Sequence, residues 1–171
     1  MTVRLDVLLG QLRDGGPGEA LTVTARGDTA VEVSDVVHDT RQVREGALFC
    51  CVPGQRVDGH DLAAGAVAAG AAALLVERML DLRVPQLQVP SVRNAMGPVA
   101  AALWGHPSRD LTVVGVTGTS GKTTTTHLLH SVLGAHGWRT ELIGTLSGPR
   151  TTPEAPDLQR RLAAARDAGA S

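Results

Sequence analysis

The chain has 171 residues, with 16 Lys and Arg against 17 Asp and Glu, a net charge of −1 and a mean hydropathy of +0.04. Hydrophobic residues make up 43%, which is globular composition with enough apolar material for a sizeable core. The near-even charge balance leaves no footprint for polymeric nucleic acid, and one Phe, two Trp and no Tyr leave no aromatic platform for stacked bases.

In chain order, Leu5, Leu8, Leu9 and Leu12 predict a helix over 4–13, ended by Gly15 and Gly16. Short Val- and Thr-rich runs predict strands at 21–24 and 29–37, and Gly46-Ala-Leu-Phe-Cys-Cys-Val52 reads as a buried strand broken by Pro53 and Gly54. A helix over 61–70 capped by Asp61 follows, then strands at 72–76 and 86–89 and a helix over 91–104 containing Pro98. This alternation is that of an α/β unit. The longest uncharged apolar run, Leu62 to Val76, is rich in Ala and Gly and falls short of the ~20 apolar residues of a membrane span. Cys50 and Cys51 read as small buried residues rather than a disulfide framework. With no signal-peptide pattern at the start, the expected compartment is the cytoplasm.

Residues 105–110 break the pattern, and the expected domains are 1–107 and 108–171. Leu111 to Val116 predicts a strand buried on both faces. Thr117-Gly-Thr-Ser-Gly-Lys-Thr-Thr-Thr-Thr126 follows and leads into a helix closed by Gly134 or Gly137. Thr140 to Leu146 predicts a further strand, 150–153 a turn and 156–168 a last helix.

Strand, glycine loop, Lys-Thr and helix form the pattern of a phosphate-binding loop. Gly118 and Gly121 let the backbone approach a phosphate, and the amides of Thr119, Ser120 and the helix start supply oriented donors. Lys122 reaches the terminal phosphates, Thr123 offers a hydroxyl to Mg²⁺, and Thr124 completes the helix start. Val116 stands where the commoner pattern has its first glycine.

The stretch Val116-Thr-Gly-Thr-Ser-Gly-Lys-Thr-Thr-Thr-Thr-His-Leu-Leu129 resembles the ATP loop of the Mur ligases, ATP-dependent amide-bond ligases of peptidoglycan synthesis. Two further stretches are similar to the MurE type. One is Ile143-Gly-Thr-Leu146 with Arg150-Thr-Thr-Pro153. The other is Val37-His-Asp-Thr-Arg41, Gly46-Ala-Leu-Phe49, Val52-Pro-Gly54 and Asp58-Gly-His60. The resemblance runs through essentially the whole chain in order.

It implies a small N-terminal UDP-binding α/β domain, followed by the truncated start of a P-loop ATPase-type central domain. Thr40 with His38, and the loop Gln55, Arg56 and Val57, match the positions that line the UDP site. Arg150, Thr151 and Thr152 match those that meet the muramoyl-peptide substrate. Thr40 replaces the commoner Ser, Ser120 a commoner Asn, and Arg150 an Asn of some members. The implied reaction joins the terminal carboxylate of UDP-MurNAc-L-Ala-D-Glu to an incoming amino acid through an acyl phosphate, with ATP and Mg²⁺. Meso-diaminopimelate and L-lysine both remain open as that amino acid. The family's later magnesium-binding glutamate, modified lysine and C-terminal domain have no counterpart here, so the expectation is an N-terminal fragment inactive on its own. The competing readings are a non-catalytic UDP-sugar or nucleotide module and a MurF-like member.

Other residues carry less. His127 and His130 share a helix face without further metal ligands in view. His60 beside Asp58 and Asp61 reads as turn and cap rather than acid–base chemistry. Asp39 and Arg41 read as a pair shaping the uridine loop or as a surface ion pair, and Arg160, Arg161 and Arg166 as a solvated face.

Overall fold

Leu5, Leu8, Leu9 and Leu12 form the buried stripe of helix α1 (Leu5–Asp14), and Gly15, at φ +77°, takes the left-handed position that ends it. The structure is a computed structural model that describes residues 2–15, 20–144 and 152–171. The chain divides into two compact units, Met1–Leu103 and Trp104–Ser171.

The first unit holds a five-stranded sheet. Its strands are β2 (Thr24–Arg26), β4 (Asp35–Val37), β5 (Ala47–Cys50), β6 (Ala71–Val76) and β7 (Gln86–Gln88), in the order β2-β7-β6-β5-β4. β4 to β7 run parallel, with Val37 opposite Phe49 and Leu75 opposite Leu87, and β2 pairs antiparallel with β7. A separate antiparallel pair joins β1 (Val3–Arg4) to β3 (Glu32–Val33).

β5 reads as a continuous apolar run because helices cover both faces. Phe49, Cys51, Leu74 and Val76 pack with Ala63 and Ala66 of α2 (Ala63–Ala68), while α3 (Val92–Leu103) packs on β4, β6 and α1. Phe49, the chain's one phenylalanine, is fully buried. Gln86 is also fully buried, and its amide is satisfied by Leu80 N–H at 2.8 Å, Leu80 C=O at 2.9 Å and Leu82 C=O at 3.2 Å.

Three expectations shift here. The strand expected at 21–24 begins only at Thr24, because the Leu21 N–H is bonded to Leu12 C=O at the end of α1. The run 29–37 splits at Ser34, whose N–H turns to Gly46 C=O, so β3 and β4 join different sheets. The helix expected over 61–70 opens as a 3-10 turn, Gly59–Leu62, and its cap is Asp58 rather than Asp61. No described helix is long and apolar enough to cross a membrane.

The second unit holds α4 (Lys122–Ala135) and α5 (Ala155–Asp167). Gly134 lies within α4, and Gly137 at φ +84° closes it, with Trp138 N–H bonded to Leu133 C=O. The two expected strands are not formed among the described residues. Residues 112–117 and 140–143 have no ladder partner there, and Thr145 and Leu146 lie outside the described residues. Val113 and Val114 are 56% and 61% exposed instead of buried. A β-branched run favours a pleated, packed surface, but becomes a strand only against a neighbour.

The arginines of α5 are not a solvated face. Arg161 pairs with Glu141 at 3.0 Å, Arg160 pairs with Asp157, and half-buried Arg166 donates to Trp104 C=O at 3.2 Å.

Candidate functional site

Two places gather the residues singled out by the sequence, one in each unit. In the second unit the loop 117–121 runs into α4. Gly121, at φ +78°, is the N-cap residue, and no side chain caps the helix. The first helical bond is Thr125 N–H to Gly121 C=O at 2.9 Å, so the preceding amides have no acceptor within the helix. Gly118 also has positive φ, at +151°. A Cβ on Gly121 would meet nothing within 4 Å, so it is backbone conformation, not crowding, that calls for glycine there.

Lys122 Nζ bends back over the loop and donates to Gly118 C=O at 2.5 Å. An ammonium, a positive helix end and uncapped amides thus converge on one exposed turn, as binding of a phosphate chain requires. The residues fit ATP and Mg²⁺: Lys122 carries the positive charge that terminal phosphates would call for, and the exposed Thr123 hydroxyl is a hard oxygen donor. Thr119, Ser120 and Thr124 are exposed on the same turn. Below the loop lies an open hollow of about 560 Å³, lined mainly by apolar side chains such as Val114, Leu129, Leu133 and Ile143. Lys122, Thr123 and Thr152 also line it. Arg150 and Thr151 lie outside the described residues. His130, instead of presenting a free ring, has its Nδ1 2.6 Å from Thr140 Oγ1.

In the first unit the parallel strands β4 and β5 end side by side, and the loops beyond their carboxyl ends carry the other candidates. Ligands of open parallel sheets sit at such ends. His38 follows β4, and its Nδ1 is a buried polar atom without a hydrogen-bond partner among the described residues. Thr40 opens a 3-10 turn, Thr40–Gln42, which Asp39 caps by accepting the Arg41 N–H at 3.0 Å. The Arg41 guanidinium lies 2.5 Å from Asp39 and, with that backbone bond, lowers the Asp39 carboxyl to about 2. The Asp39 backbone cap therefore shapes the turn that carries Thr40, and the ion pair, with the Arg41 side chain 87% exposed, adds little.

Beyond β5 the chain makes a small hairpin. Pro53 bridges Asp58, Gly54 N–H bonds to Val57 C=O at 3.1 Å, and Gln55, Arg56 and Val57 stand exposed at the tip. Gly59 fits beneath because it lacks a side chain: a Cβ there would lie 2.6 Å from Val52 N.

Sequence reasoning missed what holds this hairpin. His60 is buried, with Nδ1 2.7 Å from Asp58 Oδ1 and Nε2 accepting the Glu77 N–H at 2.9 Å. Arg78 donates to Asp58 at 2.8 Å. Hydrogen bonds from the His60 backbone and ring, then from Arg78, hold the Asp58 carboxyl well below its ordinary range. The Asp-Gly-His triplet signalled a turn, but Glu77 and Arg78 lie too far along the chain to be paired with it by spacing. Burial pushes the Cys51 thiol up to about 12 and Cys50 higher still, so neither is poised for thiolate chemistry.

Comparison with known proteins bears on both places. Residues 32–104 match the family described as "Mur ligase family, catalytic domain", and residues 116–171 match "Mur ligase middle domain". The chain belongs to the Mur ligase family. A Mur ligase of Halalkalibacterium halodurans, named UDP-N-acetylmuramoyl-L-alanyl-D-glutamate–2,6-diaminopimelate ligase, is 42% identical over 147 residues, covering 81% of this chain and 30% of that protein. A solved ligase of that same name superposes with a TM-score of 0.71 at 24% identity, over 99% of this chain and 34% of the other, a likeness of fold. The MurF ligase of Thermotoga maritima, solved in complex with ADP, is 30% identical with a TM-score of 0.55, over 76% of this chain and 29% of that one. The chain spans about 30% of the length of the curated Mur ligases it matches.

Proposed function

We propose that the chain supplies the UDP-substrate domain and the ATP loop of a MurE-type ligase, with residues 1–107 in the first role and 108–171 opening the second. The activity of the whole ligase is then amide-bond formation between the terminal carboxylate of UDP-MurNAc-L-Ala-D-Glu and an amino acid, either meso-diaminopimelate or L-lysine, in the cytoplasm. The observation that carries this reading is the left-handed glycine start of α4 with Lys122 folded over its loop, in a chain similar along most of its length to ligases of that name. The resemblance of a MurF ligase supports a second reading, in which the same two domains serve a different step of stem-peptide synthesis.

Each residue's part follows from its chemistry. Lys122 neutralises and positions the terminal phosphates, which is most of what a protein contributes to phosphoryl transfer. Gly118, Thr119, Ser120, Gly121 and Thr124 with the helix amides hold the phosphate chain, and Thr123 stands at its metal side. Mg²⁺ would be held at the Thr123 hydroxyl, where it would offset phosphate charge. His38, Thr40, Gln55, Arg56 and Val57 bind the uridine end, with the unpartnered His38 Nδ1 available to a ligand hydrogen bond. Arg150, Thr151 and Thr152 meet the muramoyl peptide.

Amide NMR of the ¹⁵N-labelled chain tests both assignments. UDP-MurNAc-L-Ala-D-Glu is expected to shift the resonances of His38, Thr40 and Gln55–Val57, and Mg·ATP those of Gly118–Thr124. Shifts confined to other residues refute the corresponding site.

A further inference from the structure

The network behind the 53–58 hairpin has a geometry that a turn-and-cap role does not require. The Glu77 backbone N–H can only donate, so His60 Nε2 carries the lone pair and the ring proton sits on Nδ1, donated to Asp58. The ring is held in one tautomer between two separate elements. On one side Asp58 closes the hairpin against Pro53 and accepts the His60 N–H at 2.9 Å. On the other side Glu77 follows β6, accepts the Val92 N–H at the start of α3 at 2.8 Å, and takes the Gln88 amide of β7 on its carbonyl at 3.0 Å. A second side-chain tie across this gap runs through Arg78, whose side chain is 54% exposed and whose ion pair is correspondingly weak.

We propose that His60 is a positioning residue of the UDP site: without touching the ligand, it locks the hairpin to β6 and α3 so that Gln55, Arg56 and Val57 are presented in one arrangement. This rests on the assignment of the UDP site to the first unit. A buried, fully partnered ring coupling two elements transmits rigidity in a way that an exposed ion pair does not.

The test is calorimetric titration of the 171-residue chain and its variants with UDP-MurNAc-L-Ala-D-Glu, with thermal melting alongside. His60→Leu is expected to weaken binding by about tenfold, the scale of one lost buried hydrogen bond. His60→Gln, whose amide can donate to Asp58 and accept from Glu77, is expected to recover most of that loss. In the native chain, long-range ¹H–¹⁵N spectra are expected to show the His60 proton on Nδ1. A folded His60→Leu chain that binds as tightly as the parent overturns the proposal, as does a proton on Nε2. If His60→Leu does not fold, Asp58→Ala decides: weakened binding with a retained melting transition supports the lock, and unchanged affinity overturns it. Absence of binding by the parent chain instead removes the UDP-site assignment on which the proposal stands.

Discussion

Thr40 and Lys122 stand at the two ends of the proposed chemistry, and each can be removed without opening a core. Thr40→Ala takes one hydroxyl from the turn that Asp39 caps, and is expected to weaken UDP-MurNAc-L-Ala-D-Glu by about 1–2 kcal/mol, roughly 5- to 30-fold in a binding titration. Lys122→Ala removes the ammonium that overlies the loop. In the whole ligase it is expected to abolish ATP turnover while leaving affinity for the UDP substrate nearly intact, and an unchanged kcat would refute the role given to it. Gly59 differs because its constraint is steric: an added Cβ would lie 2.6 Å from Val52 N, so Gly59→Ala is expected to cost about 1–3 kcal/mol in urea denaturation. The glycine-lysine loop was legible from residue types in a row. His60 was legible as a turn residue but not as a lock, because its second partner, Glu77, lies seventeen positions away.

At the level of elements, the sequence signals that succeeded were those closed within one segment. The leucine spacing of α1, the apolar run of β5 and the Ala-Leu stretch of β6 each declared a burial pattern that the structure repeats. What failed depended on neighbours. Leu111–Val116 has strand composition, yet no described segment pairs with it, and Leu21 gives its N–H to the end of α1. The cap of the 59–68 helical stretch moved from Asp61 to Asp58 because the chain enters through a 3-10 turn. The arginines of α5 found partners in Glu141 and Trp104, which helix periodicity alone does not register. β5 also yields a prediction. Cys50 and Cys51 are fully buried, with Cys51 raised to about 12, so neither is expected to react with an aqueous thiol reagent until the first unit unfolds. Rapid labelling of the native chain would refute the placement of β5.

For the molecule as a whole, acid stability links the two loops of the proposed UDP site. Asp39, brought to about 2, and Asp58, held lower still, both lie below their ordinary value of 3.8. A carboxyl depressed by folding contributes stability in full above its unfolded value, and that contribution is lost as pH falls through the folded one. The first unit is therefore expected to lose stability as pH drops below about 4, with Asp58→Asn showing a shallower decline in pH-dependent melting. The second unit, with Val113 and Val114 exposed at an open apolar hollow and Leu128 and Val132 also exposed, has less packing to hold it. In the proposed function this chain binds the uridine end of a UDP-linked muramoyl peptide at the carboxyl ends of β4 and β5. Calorimetric titration with UDP-MurNAc-L-Ala-D-Glu tests it most directly. Saturable binding of one molecule per chain, retained in Lys122→Ala, is the predicted result. No heat of binding from a chain with an intact melting transition would contradict it.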